Sequence, residues 1–226
     1  MISAIVPAHN EEKTILSTVS RLQEYCTQVI VVDDGSEDDT YFMLDGSSAT
    51  VIRKNIAQGK GAAIRTGYRF VDKFADYVLL IDADQFNPKE IETFLNVMKL
   101  YNADAVIGSK KHEYSVVDYS PLRRVMSECY RFFIWCLFGL PLRDTQCGFK
   151  LFKREALDKV LSKVLTKQFA FDLELLVCMR EQKFRVVDSP VFVYKAEKSS
   201  VRMGHIFQTL VDTLSVFYRK QKGWYR

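Results

Sequence analysis

Much that would mark other protein classes is missing from this 226-residue chain. Its five cysteines are an odd number without paired metal-ligand spacing, which excludes a disulfide framework and a structural zinc site. Reduced thiols packed as small apolar residues are expected instead. No long hydrophobic run is present. The longest uncharged stretch, Phe132 to Leu142, has eleven residues, well short of the ~20 that cross a bilayer. No charged segment followed by an apolar one precedes the first strand, so no signal peptide is expected. A chain that stays in the cytosol, soluble or peripheral, is the expectation. There is no Walker A loop either. Gly59-Lys60-Gly61 lacks that motif's spacing and its Ser or Thr after Lys, and Lys60 reads as a solvated loop side chain. Repeats, low-complexity segments and polar linkers are absent, so residues 1–226 read as one domain. Net charge is only +4, which does not call for nucleic acid. The excess gathers in the last eleven residues, where Arg219, Lys220, Lys222 and Arg226 meet no acid.

What is present is alternation. Ile2-Ser-Ala-Ile-Val-Pro7, Gln28 to Asp33, Ala49 to Arg53, Tyr77 to Ile81 and Ala103 to Ser109 are short apolar runs, expected as buried strands. Between them lie helical patterns. Asn10 caps the first, with Ile15, Leu16, Val19 and Leu22 at helical spacing. Asp38, Asp39 and Thr40 open the second, and the third runs from the glycine loop through Tyr68. Asn87-Pro88-Lys89-Glu90 starts the fourth with cap, proline and glutamate in order. Five strands alternating with helices imply an α/β domain with a mainly parallel sheet and helices on both faces. The polar or small ends of strands one, two, four and five then line one edge and one crevice.

Residues 1–109 form this first half, 110–202 a second and 203–226 a C-terminal amphipathic helix with its basic tail. Residues 110–119 read as a loop. Leu122 to Phe138 is a helix with apolar positions at Leu122, Val125, Met126, Cys129 and Phe133. Phe149 to Phe152 is strand-like, Arg154 to Leu165 helical, and Phe171-Asp172-Leu173-Glu174 opens another helix. Short strands flank Pro190. Met203, Ile206, Phe207, Leu210, Leu214 and Phe217 share the face of a last helix. Phe217, Tyr218, Trp224 and Tyr225 with interleaved cations suit a membrane interface.

The chemistry concentrates at strand ends. Asp82-Ala83-Asp84 closes the fourth strand, and two carboxylates so spaced suit Mg²⁺ or Mn²⁺ shared with a diphosphate. Such an ion neutralises a leaving group as Lewis acid. Asp34, after the second strand, can accept hydrogen bonds from a base or ribose, or simply cap a turn. His9 has no second histidine nearby and reads as a loop residue.

Taken in order, Pro7-Ala-His-Asn-Glu11, Val32-Asp-Asp34-Gly-Ser, Asn55-x-x-x-Gly-Lys60-Gly-Ala-Ala63, Asp82-Ala-Asp84, Gly108-Ser-Lys110 and Asp144-Thr-Gln-Cys-Gly-Phe-Lys150 resemble the family 2 inverting glycosyltransferases. More narrowly they resemble the branch that makes dolichyl-phosphate mannose and dolichyl-phosphate glucose. The resemblance spans nearly the whole chain. It implies a single Rossmann-like nucleotide-diphospho-sugar transferase domain of GT-A type, a UDP-glucose or GDP-mannose donor, a dolichyl or polyprenyl phosphate acceptor and a divalent metal. Pro7, Ala8, His9 and Glu11 would border the nucleotide, with Val32 and Asp34 at the base and Lys60 nearby. Asp82, Ala83 and Asp84 would meet metal and diphosphate. Lys110 would face the phosphates, Arg123 and Ser127 would grip the acceptor phosphate, and Arg202 would reach the donor. Such an enzyme would sit at the cytoplasmic face of a membrane. One departure stands out: Phe86 occupies the position where mannose synthases often carry a glutamine ligand, and Gln85 comes one residue early.

A phosphate monoester is already an anionic nucleophile at pH 7, so cations matter more than a base for that acceptor, and Lys110, Arg123 and Arg124 meet the need. A sugar-hydroxyl acceptor would require a base, with Asp144 and Asp172 as candidates. A non-catalytic nucleotide-sugar binder is the further alternative. A nucleotidyltransferase is disfavoured, because the opening strand leads into no glycine-rich loop.

Overall fold

The computed structural model describes residues 1–83, 87, 89–115, 121–168, 170–191 and 203–225, with only the backbone of 121–126 and 203–207. Among the described residues seven strands form one sheet: β1 (Ile2–Ala8), β2 (Gln28–Asp33), β3 (Thr50–Arg53), β4 (Tyr77–Ile81), β5 (Ala105–Ser109), β6 (Phe149–Lys153) and β7 (Val186–Pro190). Their order is β3-β2-β1-β4-β6-β5-β7. The helices are α1 (Ile15–Gln23), α2 (Lys60–Tyr68), α3 (Lys89–Leu100), α4 (Pro121–Phe138), α5 (Arg154–Leu161), α6 (Phe171–Glu181) and α7 (Met203–Gln221).

The strands are apolar throughout because both faces are covered. Ile30, Val32, Val78 and Leu80 face a core shared with α2, α4, α5, α6 and α7. Their neighbours Val29, Val31, Leu79 and Ile81 face a second core under α1 and α3. Each fully buried large side chain contributes about 1.5–3 kcal/mol.

The sheet is mainly parallel, as expected. Among the described strands β6 alone is reversed, pairing antiparallel with both β4 and β5. That reversal positions the site. A parallel strand presents its C-terminus at the functional edge, whereas β6 presents the turn before its N-terminus. Residues 144–148 therefore arrive beside the end of β4, with Ile81 opposite Phe149 in the register.

Several local expectations give way. The helix from Asp38 shrinks to a single 3-10 turn, Phe42–Leu44. Asp38 spends its carboxylate on the N–H groups of Thr40 and Glu12, which ties the loop to the segment after β1. Asn10 is not a helix cap. It lies in the left-handed region at φ 59°, and its side-chain oxygen accepts from the Glu37 N–H at 2.9 Å. Asn87 does cap α3, accepting from the Lys89 N–H at 3.1 Å. The helix from Arg154 stops at Leu161, because the Leu165 and Thr166 N–H groups turn to Glu174 Oε2. The strand before Pro190 is present as β7 and runs to Pro190 itself; residues 192–194, where a second was expected, lie outside the described part.

On two helices some positions expected to be buried face outward. Among the described side chains of α4, Ile134 and Phe138 are buried, while Cys129 is exposed. On α7 Thr213 and Val216 are buried, and Leu210 and Leu214 face outward. Cys26, Cys147 and Cys178 pack as small apolar groups, but Cys136 joins Cys129 at the surface.

Candidate active site

The C-terminal ends of β1, β2, β4 and β5 meet on one edge, at the point where β1 leads to β2 on one side and neighbours β4 on the other. The loop after β1 carries His9, exposed, with Nδ1 3.1 Å from the main-chain oxygen of Asp34. Glu11 receives the Thr14 hydroxyl on Oε2 at 2.7 Å and donates its own N–H to Thr40 Oγ1. Pro7 and Ala8 end β1 beside Val32 and Asp33. The Val32 side chain is wholly in the core, so only its backbone borders the crevice.

Asp34 is 5 % exposed and heavily engaged. Its carboxylate takes Lys54 Nζ at 2.6 Å and the N–H groups of Gln58 and Gly59, the latter at 2.6 Å. It thereby fixes the loop that delivers Lys60. Lys54, which no spacing singled out, is the cation that makes burial of Asp34 tolerable.

Lys60, expected in solvent, is not there. Its side chain is 17 % exposed, with Nζ 2.7 Å from Asp82 Oδ1 and 3.0 Å from Asp172 Oδ2. Burial opposes the ammonium charge, but Asp172 and Asp82 outweigh it and raise the Lys60 pKa. α2 can start this deep because residue 61 is glycine: a Cβ there would fall 2.6 Å from the Phe171 ring.

Asp82 follows β4 with its side chain 36 % exposed. Its N–H donates to the Gly148 carbonyl at 3.1 Å. Ala83 is buried, and its carbonyl accepts from Thr18 Oγ1. Asp84, Gln85 and Phe86 lie outside the described residues, as does Arg202. Among the described residues no three His, Cys, Asp or Glu side chains gather as a metal site. Asp82 is nevertheless a reachable, hard carboxylate already pairing with a cation, which fits a divalent ion completing its shell with ligand oxygens.

The two base candidates separate. Asp172 is 4 % exposed, with one oxygen on Lys60 and the other 2.7 Å from Lys150 Nζ. Burial would raise its pKa, yet the two lysines hold it below the usual carboxylate range. Enclosed between two cations, it is a structural anion. Lys150 was a missed partner; a lysine inside an apolar strand was the available signal, since a buried ammonium needs an anion. Asp144 instead accepts the N–H groups of Lys110 and Gln146 and lines a groove of about 350 Å³ between α4 and residues 140–146.

That groove joins Lys111, Ser127, Arg131 and Arg143 to Ile134, Trp135, Leu140 and Leu142. Glu128 pairs with both Lys111 and Arg131. Ser127 lines the groove, with its main-chain oxygen meeting Lys111 Nζ; the side chain of Arg123 is outside the described part. Beside the groove α4 exposes Phe132 and Trp135, stacked at 6.0 Å, and α7 exposes Leu214 and Tyr218. Two of the expected interfacial aromatics lie elsewhere. Tyr225 is fully buried, its hydroxyl donating to Glu174, and Phe217 packs on Phe138. Among the described residues no helix is long and apolar enough to cross a membrane.

Against known proteins, the sequence profile of glycosyl transferase family 2 matches residues 3–161. A human dolichyl-phosphate beta-glucosyltransferase is 33 % identical over 216 residues, which span 84 % of this chain and 66 % of that protein. The enzyme of the same description from Saccharomyces cerevisiae is 28 % identical over 236 residues, spanning 89 % and 69 %. The chain thus spans about two thirds of these relatives' length. Among solved structures, a Mycobacterium tuberculosis glucosyl-3-phosphoglycerate synthase in complex with Mn²⁺, UDP-glucose and phosphoglyceric acid superposes with a TM-score of 0.75 at 21 % identity, covering 96 % of this chain and 79 % of that one. At that identity the likeness is one of fold.

Proposed function

The chain belongs to glycosyl transferase family 2, and from that membership we propose that it transfers a hexose, glucose first among them, from a nucleoside diphosphate sugar to a dolichyl or other polyprenyl phosphate, with inversion. As a glycosyltransferase it is an enzyme, and the non-catalytic alternative falls away. The observation that carries the lipid-phosphate reading is the groove, where cations and aromatics meet within reach of Asp144 and the end of β5. An amphipathic acceptor with an anionic head matches that mixture, and the relatives' acceptor, by their description, is of this kind. The relatives' description as beta-glucosyltransferases favours glucose over mannose.

In this reading Asp82, with Asp84, holds Mg²⁺ or Mn²⁺. Such an ion, when bound, would supply Lewis-acid neutralisation of a diphosphate leaving group. Lys110, Lys111, Arg143 and Arg123 attract and orient the acceptor phosphate, which is ionised without a base. Pro7, Ala8, His9 and Glu11 wall the nucleotide, Asp34 sets their facing loop and Arg202 serves the donor. The exposed stripe of α4 and α7 rests on the membrane that contains the acceptor, so association is peripheral.

A second reading has one observation in its favour. Among the described residues Asp144 accepts backbone N–H groups, and it borders the groove, so it could act as base toward a sugar hydroxyl. The test is to incubate the protein with polyprenyl phosphate, Mn²⁺ and radiolabelled UDP-glucose or GDP-mannose. Label is expected in an organic-soluble, mild-acid-labile product from the uridine donor. Label entering only water-soluble glycan would overturn the lipid acceptor. Asp82→Asn should lower turnover by about 100-fold or more while thermal unfolding stays near wild type.

A further inference from the structure

Asp82 already has a cation supplied by the chain. The Lys60 ammonium is shared between Asp82 Oδ1 at 2.7 Å and Asp172 Oδ2 at 3.0 Å. The first carboxylate is 36 % exposed, the second 6 %. Asp172 is itself fixed from the other side by Lys150, whose side chain is 1 % exposed. Two lysines and two carboxylates balance, so the cluster is neutral while nothing else is bound. A divalent ion on Asp82 upsets that balance. It would set two positive centres against one carboxylate in a half-buried place, where water screens them poorly. Asp172 offers the ammonium a second anion that cannot move.

We propose that Lys60 is an exchangeable counter-ion, which neutralises Asp82 in the cation-free protein and withdraws onto Asp172 when a divalent cation takes that carboxylate. The proposal rests on Asp82 being a cation ligand, as in the function proposed above. It adds that Lys60 and the ion compete. It also makes Asp172 a positioning residue, acting through Lys60 and touching no substrate.

The test uses Mn²⁺ alone with the full chain, without sugar nucleotide or acceptor, read by calorimetry and by loss of the free-Mn²⁺ paramagnetic resonance signal. Lys60→Gln removes the competitor and should tighten Mn²⁺ binding about tenfold. Lys60→Arg keeps the charge and should stay within about twofold of wild type. Asp172→Asn alone would strand the buried Lys150, so the companion variant is Asp172→Asn with Lys150→Met, which removes that pair together. Among the described residues Asp82 is then the carboxylate left to Lys60, and Mn²⁺ should bind about tenfold more weakly. Wild type that binds Mn²⁺ while Lys60→Gln binds no tighter would overturn the exchange and leave the metal reading standing. A double variant that binds as well as wild type would overturn the role of Asp172. No Mn²⁺ binding by either wild type or Lys60→Gln would overturn the exchange and the metal reading together.

Discussion

Gly148 shows how one missing methyl group sets the position of a functional side chain. A Cβ there would lie 2.9 Å from the Asp82 Cβ and closer still to its carboxylate. Gly148→Ala must therefore push Asp82 away from Lys60, although the turn itself survives. Turnover should fall about tenfold or more, with thermal stability lowered far less than activity; a variant as active as wild type would show that Asp82 is free to move. The thiols make a second check. Burial pushes Cys26, Cys147 and Cys178 up to about 12, so they stay protonated and unreactive at neutral pH. Cys129 and Cys136 are exposed. Alkylation of the folded protein, followed by mass spectrometry, should modify those two cysteines of five.

Helix α6 is the element on which the cluster and the C-terminus both depend. Two residues apart on it, Asp172 holds Lys60 and Lys150 while Glu174 holds Arg219, the Tyr225 hydroxyl and the Leu165 and Thr166 N–H groups. Glu174 is fully buried. Arg219→Ala leaves that charge short of its cation and should cost about 3 kcal/mol in denaturant unfolding. Tyr225→Phe removes the hydroxyl that donates to Glu174 and accepts from Arg219 and should cost about 2 kcal/mol. The acid limb of stability follows Asp172. A carboxyl whose pKa is depressed by folding stabilises above its unfolded value, about 3.9, and that contribution is lost as pH falls through the folded value. Asp172 is shifted in this direction. Below about pH 4 wild type should lose stability more steeply than the variant lacking both Asp172 and Lys150.

Across the molecule, one edge of the sheet gathers the candidate site and the surface around α4 and α7 gathers exposed apolar side chains. Trp135 is 58 % and Leu214 51 % exposed, and the two helices meet through Tyr130–Thr213 and Phe138–Phe217. Lys222 stands over the Tyr218 ring, adding a cation to the apolar stripe. Replacing Trp135 and Leu214 together by serine should weaken sedimentation with anionic phospholipid vesicles about tenfold, with Mn²⁺ binding unchanged. Equal sedimentation would place the membrane contact elsewhere.

The five strands of the first half, the α/β class and the gathering of polar strand ends were legible in the residues. A strand buried on both faces must be an apolar run, and its end must change character where solvent begins. The Asn87 cap was legible for the same local reason. The nucleotide and acceptor roles rest on family resemblance, and Asp84, Arg202 and the side chain of Arg123 lie outside the described residues. Pairings were not legible. Nothing near Lys60 announces Asp172 more than a hundred residues on, nothing in Phe149 to Phe152 announces its reversal, and nothing in Trp224-Tyr225 announces Glu174. Nor does helical spacing state which of two apolar stripes on α4 or α7 will meet a neighbour. Local periodicity depends on residues a few positions apart. A buried charge, a strand's direction and a covered helix face depend on which distant segment arrives beside them, and folding alone supplies that.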